Sequence, residues 1–132
     1  MLSQETVREL RSSWLPNVTD AGLDRLIDLL EKNSPLLIQG CFTKAVPMGC
    51  LATHIAWNHP STAHLTFDAG ISWMNRVAGL NPATSHVIRD WDCSGPYNLE
   101  TRGELLGLFR EERQRRRRPQ KVERRSPALA KV

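Results

Sequence analysis

The chain has 132 residues, of which 40% are hydrophobic and 24% charged, which fits one globular domain with a core of its own. The net charge of +4 is unevenly distributed, because residues 1–112 hold nine Lys/Arg and 13 Asp/Glu, whereas residues 113–132 hold nine Lys/Arg and one Glu. The overall basicity therefore describes the C-terminus, and it does not make the domain itself a nucleic-acid binder.

The cysteine content and the N-terminal residues indicate the cellular compartment of the protein. Three cysteines are too few and of the wrong parity for a disulfide framework, and the first ten residues contain no apolar core of a signal peptide. The longest uncharged run, residues 45–67, contains two prolines and three histidines, so we do not expect it to span a membrane. The sequence predicts a cytoplasmic protein.

Two helices are predicted near the N-terminus. Ser3 is a suitable N-cap for a first short helix, which ends at Leu15–Pro16. Thr19 is a suitable N-cap for a second helix, which ends at Asn33–Ser34–Pro35. This second helix has the clearest apolar stripe of the chain, formed by Leu23, Leu26, Ile27 and Leu30.

The middle of the chain is expected to provide the central helix. Residues 35–46 favour either a short helix that starts at Pro35 or a buried extended segment, and their apolar spacing does not decide between them. Pro47 then predicts the first turn of a helix that continues to Asn58. Because this helix is apolar on two sides, we expect the other helices to cover it.

Three further helices complete the prediction. The first buries Phe67, Ile71, Met74 and Ala78 and stops at Gly79. The second starts with Asn81 as cap and runs from Pro82 to about Asp92, and the third starts with Asn98 as cap and buries Leu105, Leu106 and Phe109. The side chains expected to be most buried are Leu26, Ile27, Leu51, Ile55, Met74, Ile88, Trp91 and Leu106.

The predicted fold class is all-α. It consists of a single compact domain of five or six short helices in residues 1–112. Residues 113–132 form the basic end of the last helix and a tail, for which we predict disorder after Arg118 because little in it can be buried.

Residues 73–92 resemble the bacterial helix-turn-helix pattern. In this comparison, the segment from Arg76 to Leu80 ends the first helix and forms the turn, and residues 81–88 correspond to the recognition helix. The resemblance implies that four residues face a DNA groove: Asn81, Thr84, Ser85 and Arg89. The alternative is a pair of packed helices that are joined by a glycine stop and an Asn-Pro cap.

The arginine run is a second candidate for nucleic-acid binding. Its expected phosphate-binding residues are Arg115, Arg116, Arg117, Arg118, Arg124 and Arg125. A cluster of this kind neutralises phosphates without an ordered structure, and it would also bind an acidic protein. The alternative is a solvated helix end, where positive side chains interact favourably with the helix dipole.

Cys50 and His54 are candidates for chemistry, because residues four apart on a helix share a face. They would supply half of a metal site, with His59 and Cys93 as the other ligands. In a catalytic alternative, the helix dipole lowers the pKa of the Cys50 thiol and His54 acts as its base. In the simplest alternative, both residues belong to the core.

Taken together, these patterns favour a small non-enzymatic binding or regulatory protein, associated with nucleic acid through its tail and less directly through the helix-turn-helix-like segment. The alternative is a metal-binding or redox-linked protein that uses Cys50 and His54. The sequence identifies neither a cofactor nor an oligomeric state.

Overall fold

The computed structural model describes residues 2–94 and 98–130, with side chains as far as Arg117. The described residues are mostly helical and include one small antiparallel sheet. The regular elements are α1 (Gln4–Glu9), α2 (Asp20–Glu31), β1 (Thr43–Ala45), β2 (Met48–Gly49), α3 (Leu51–Trp57), α4 (Ala69–Ser72), α5 (His86–Ser94) and α6 (Leu99–Ala130). A π-helical turn, Leu10–Trp14, and a 3₁₀ turn, Leu15–Asn17, follow α1, and a second π-helical turn, Trp73–Ala78, follows α4.

Local sequence signals set several helix ends as predicted. The side chain of Ser3 accepts a hydrogen bond from the backbone N–H of Thr6 at the start of α1, and Thr19 Oγ1 accepts one from Gly22 at the start of α2. Asn98 Oδ1 accepts from the N–H of Thr101 in the first turn of α6 (3.0 Å). Each cap satisfies a backbone donor that the helix itself leaves without a partner.

Gly79 ends the second π-helical turn in the left-handed conformation, with a φ of 70°. This agrees with the predicted glycine stop. A side chain with a Cβ atom would be strained there, which is why glycine is common at this position.

A pair of carboxylates joins α1 to α5. Glu9 at the end of α1 accepts hydrogen bonds from Ser85 Oγ (2.6 Å) and from the N–H of His86 (2.9 Å) at the start of α5. Asp90 in α5 in turn accepts one from the hydroxyl of Thr6 in α1 (2.5 Å). Each helix therefore supplies the carboxylate that binds donors of the other.

The region before α3 differs from the predicted long helix. Pro47 does not start a helix but lies in a turn between β1 and β2, where the Val46–Pro47 peptide bond is cis. α3 begins only at Leu51, with Cys50 at its N-cap. The pairing of β1 with β2 uses backbone groups that a helix from Pro47 would need for its own hydrogen bonds, and this explains the shorter helix.

Residues 35–46 adopt the extended alternative rather than the short helix. Leu37 forms a parallel bridge with Gly49, and β1 follows at Thr43–Ala45. Between them the chain turns at Gly40, which has a φ of 89°.

α3 lies at the centre of the core, as predicted. Six of its seven residues are buried, and it packs against α2 and α4. Of the eight side chains expected to be most buried, seven are buried, and Leu106 is only partly buried.

The buried face of α4 and of the π-helical turn after it was predicted only in part. Met74 is buried as predicted and Ala78 is partly buried, but Phe67 and Ile71 are 56% and 38% exposed. The other buried residues are Ala69, Gly70 and Trp73. A Cβ atom on Gly70 would come within 2.5 Å of Thr53 Oγ1, so α4 approaches α3 through its glycine. Apolar spacing cannot indicate a contact made by a residue without a side chain.

The backbone of α6 continues as a helix to Ala130, whereas the sequence alone predicts disorder beyond Arg118. None of the described helices, including α6, combines the length and hydrophobicity of a membrane-spanning segment.

Candidate nucleic-acid interface

Ion pairs between α2 and α6 hold the first part of the basic region against the domain. Three arginines spaced three residues apart on α6 meet three carboxylates of α2: Arg110 with Glu31, Arg113 with Asp24, and Arg116 with Asp20. The residue order runs in opposite directions on the two helices, so α2 and α6 are antiparallel. We call these three pairs the α2–α6 ladder.

Arg116 has the most extensive contacts in the ladder. Its Nη2 donates to the carbonyl oxygens of Leu15 and Val18 (2.8 Å each), and its Nε donates to Glu112 (2.7 Å). With the bond to Asp20, these contacts occupy all three nitrogens of the guanidinium group. The predicted phosphate ligand Arg116 is therefore a structural residue that ties α6 to the turn before α2.

Arg115 is also paired, but it is more accessible. Its Nε and Nη2 donate to the two oxygens of Glu112 (3.0 and 2.7 Å), and its side chain is 65% exposed. Glu112 is buried, which by itself raises the pKa of its carboxyl group, but the hydrogen bonds from Arg115 and Arg116 bring that pKa below its usual value. Glu112 thus stays ionised and offsets part of the arginine charge.

Beyond the ladder, Arg117 is the last side chain of α6 that the structure describes. Arg117 is exposed and lines a cavity of about 420 Å³ beside Asp20 and Asp24. The side chains of Arg118, Arg124 and Arg125 lie outside the described part of the structure. Arg113, Arg115 and Arg116, which follow the predicted domain boundary at residue 112, interact with the folded domain or with α6 itself.

The helix-turn-helix-like residues do not form the expected recognition helix. α5 begins at His86, and Asn81 and Thr84 lie in the turn before it, where Asn81 Oδ1 accepts from the N–H of Ala83. Ser85 is 6% exposed and bonded to Glu9, so it faces the protein instead of a DNA groove. The Asn-Pro signal marks this turn, and the helix N-terminus is set by Ser85, whose Oγ accepts from Ile88 (3.2 Å).

Arg89, the remaining residue of that candidate set, is exposed on α5. Its Nε lies 3.7 Å from Asp90, which also holds the N-terminus of α1. The carboxylate next to it weakens the attraction of this surface for phosphate.

Cys50 and His54 each have a contact within the protein. Cys50 is fully enclosed, with Thr53 Oγ1 3.7 Å from its sulfur, and burial raises the pKa of its thiol to about 11. This is opposite to the decrease expected from the helix dipole, because loss of hydration outweighs the dipole at this depth. The thiolate, which is the nucleophilic form and the metal ligand, is therefore disfavoured at neutral pH.

His54 is a hydrogen-bonded core residue. Its Nε2 lies 2.8 Å from the carbonyl oxygen of Leu36, and its ring packs edge-on against Trp57. Burial lowers its pKa, and the positive charge of Arg25 lowers it further, although the Leu36 carbonyl acts in the opposite direction.

The other two candidate metal ligands are not brought to Cys50 and His54. His59 accepts a hydrogen bond from the N–H of Ser61 in the turn after α3, and Cys93 is exposed on α5. Across residues 2–94 and the described side chains of α6, no three His, Cys, Asp or Glu side chains converge on a common point. No observation in the structure favours the metal-binding hypothesis.

Sequence reasoning missed Arg102. This arginine is 6% exposed and packs its guanidinium group over the ring of Trp91, 5.2 Å from the ring centroid. A signal was present, because Arg102 occurs three and seven residues before Leu105 and Phe109, the buried stripe of α6.

Comparison with known proteins does not identify a family for this chain. No protein-family model matches the chain, and no curated protein or solved structure is significantly similar to it.

Proposed function

We propose that this chain is a small non-enzymatic binding protein that associates with nucleic acid through residues 117–132, here called the basic segment. The observation that carries the proposal is the division of charge along α6. The arginines from Arg110 to Arg116 are paired with carboxylates of the domain or of α6, whereas the basic segment has six Lys/Arg and one Glu. The ladder thus leaves the positive charge concentrated where α6 extends past α2.

The spacing of the basic residues supports a phosphate backbone as the partner. Basic residues recur at 117, 118, 121, 124 and 125, and a helical backbone brings residues three and four apart to one side. A row of positive charges on one side of a helix matches the regular row of phosphates on a duplex, and counterion release then supplies the affinity. The basic segment contains no aromatic residue for stacking on single-stranded bases.

The proposal includes non-specific binding and a cytoplasmic location. Contacts to phosphate carry no direct sequence information, so unrelated duplexes of equal length should bind with equal affinity. Cys41 and Cys93 are exposed free thiols, which suits a reducing compartment.

The experiment must keep the ladder intact. A truncation after Glu112 would remove Arg113 and Arg116, which bind α2, and would confuse loss of binding with loss of structure. The better comparison is full-length protein against a chain that ends at Arg116, and against a full-length variant in which the six Lys/Arg of the basic segment are replaced by Gln. A matched control replaces Arg76 and Arg89, two exposed arginines of the domain, by Gln.

We expect fluorescence anisotropy with a labelled duplex to show binding by the full-length protein and by the Arg76/Arg89 control only. Raising the salt concentration from 50 to 200 mM should weaken binding by up to about 10³-fold, since at most six phosphates are neutralised. Duplex binding by the chain that ends at Arg116 would contradict the proposal. So would displacement of the duplex by poly-glutamate at equal charge concentration, because an acidic protein would then be the better partner.

A further inference from the structure

A groove lies at the N-terminal end of α6. It has a volume of about 740 Å³, within the range of about 300–1,000 Å³ typical of small-molecule sites. Residues 33–41, β1, β2 and the first turn of α6 form its walls. Its apolar surface comes mainly from Pro35, Leu37, Ile38 and Met48, and its two cationic side chains are Lys44 and Arg102.

Arg102 on the wall of this groove is a buried charge without a counterion. Its Nε and Nη1 are enclosed and have no hydrogen-bond partner, and no carboxylate of the described residues pairs with it. Its guanidinium group instead packs over Trp91. Burial lowers the pKa of Arg102, yet a guanidinium group stays protonated at neutral pH. An uncompensated buried charge destabilises a fold, so it calls for an explanation.

The other charged groups around the groove leave room for an anion. Lys44 is exposed on β1 at the edge of the groove. Asp92 accepts a hydrogen bond from the N–H of Gly40, one of the residues that line the groove (3.0 Å). The groove therefore presents one buried positive charge, one exposed positive charge, and an apolar wall between them.

We infer that this groove binds a small organic carboxylate with an apolar body. The carboxylate pairs with Arg102, and the apolar body lies along Leu37, Ile38 and Met48. A charge of −1 matches the single buried guanidinium group, whereas a phosphate dianion would bring a second negative charge next to only one exposed lysine. Pairing of guanidinium with carboxylate is strong because both partners are charged.

The test uses sodium octanoate as probe and the full-length chain, with isothermal titration calorimetry as readout. 1-Octanol has the same apolar body without the charge, acetate has the charge without the apolar body, and octyl phosphate has a different anion. We expect saturable binding of octanoate, and binding at least about tenfold weaker for 1-octanol, acetate and octyl phosphate. Equal binding of octanoate and 1-octanol, tighter binding of octyl phosphate, or no saturable binding of octanoate would overturn the proposal.

Variants then assign the binding to Arg102. Arg102→Met keeps an apolar side chain of similar length and should weaken octanoate binding by about 10- to 100-fold. Arg76→Met, which removes an exposed arginine outside the groove, should leave it unchanged. Octanoate binding by Arg102→Met that equals wild type would exclude Arg102 as the anion partner. The comparison of octanoate with 1-octanol needs wild-type protein only, so it tests whether the groove binds a carboxylate even if Arg102→Met does not fold.

A stability measurement separates a binding arginine from a structural one. Since Arg102 makes no hydrogen bond through Nε or Nη1, Arg102→Met should leave the melting temperature of the ligand-free protein unchanged or raise it. A decrease of several degrees would show that Arg102 is retained for the stability of the fold, and the inference would fail.

Discussion

Two arginines of α6 differ in how their charge is compensated. Arg116 is partly buried and has hydrogen bonds to two carboxylates and two backbone carbonyls. In the first turn of α6, Arg102 is less exposed, yet two of its nitrogens have no partner among the described residues. A compensated arginine joins elements of the fold, whereas an uncompensated one destabilises the fold unless a ligand supplies the missing charge.

The largest expected effect comes from replacing Arg116, the arginine whose charge is compensated. Arg116→Met should lower the free energy of unfolding by about 2–4 kcal/mol, because it leaves the buried carboxylate of Glu112 with one partner fewer and the carbonyls of Leu15 and Val18 without this donor. Urea unfolding of the variant and the wild type measures the difference. A change below about 0.5 kcal/mol would mean that Arg116 is not the structural residue described here.

Acid should remove this contribution and leave Arg102 unaffected. The pKa of Glu112 is lowered in the folded protein, so its stabilisation is complete above its unfolded pKa of about 4.3 and is lost as the pH falls through the folded value. The stability difference between wild type and Arg116→Met should therefore be smaller at pH 3 than at pH 7. The difference for Arg102→Met should stay constant, because no carboxylate among the described side chains pairs with Arg102. Thermal unfolding at both pH values provides the check, and a constant difference for Arg116→Met would contradict the assignment.

The contact between α1 and α5 allows the same test on a negative charge, because the group that accepts its hydrogen bonds is the carboxylate of Asp90. Burial raises the pKa of Asp90, but hydrogen bonds from Thr6 and Ser3 bring it below its usual value. Asp90→Asn should lower the free energy of unfolding by about 1–3 kcal/mol. Asp92→Asn is the matched control on the same helix, since Asp92 is exposed and accepts only one described hydrogen bond. Equal losses in the two variants, measured by urea unfolding, would rule out a special role for Asp90.

The smallest expected effect concerns the exposed part of the ladder. Arg113 pairs with Asp24 at 3.3 Å, and the two side chains are 31% and 58% exposed. Arg113→Met should therefore change the free energy of unfolding by less than about 1 kcal/mol. It controls for Arg116→Met, because both variants remove one arginine from the same helix. A loss as large as that of Arg116→Met would show that the number of ion pairs, and not their burial, determines stability here.

These contrasts explain which features could be predicted from the sequence. The caps Ser3, Thr19 and Asn98 and the stop at Gly79 act within four residues, so their signals are local and they were predicted correctly. The helix starting at Pro47 was wrong because proline is equally compatible with a turn, and the deciding β-sheet contacts come from outside the local window. Local spacing cannot indicate such pairing.

The candidate functional residues show the same difference between local signals and contacts with distant parts of the chain. The partners of Arg116 outside α6 lie about a hundred residues away in the sequence, so nothing in the run of arginines distinguishes Arg116 from Arg117. The spacing of Cys50 and His54 predicted one shared helix face, but Cys50 is the N-cap of α3, and burial and the carbonyl of Leu36 decide the chemistry of the two residues. Arg102 was predictable in principle from its place in the apolar stripe of α6.

The exchange of carboxylates between α1 and α5 also bears on how the chain folds during its synthesis. The partner of Glu9 at Ser85 is 76 residues further along the chain. At about 5–20 residues per second, the ribosome needs roughly 4–15 s to reach it after Glu9 has been made. During that interval α1 lacks the partners that fix it, and a helix of six residues is not stable alone. α1 is thus synthesised before α5 but becomes ordered only after α5 has been made. Until then, the apolar side chains that follow α1 stay accessible to chaperones.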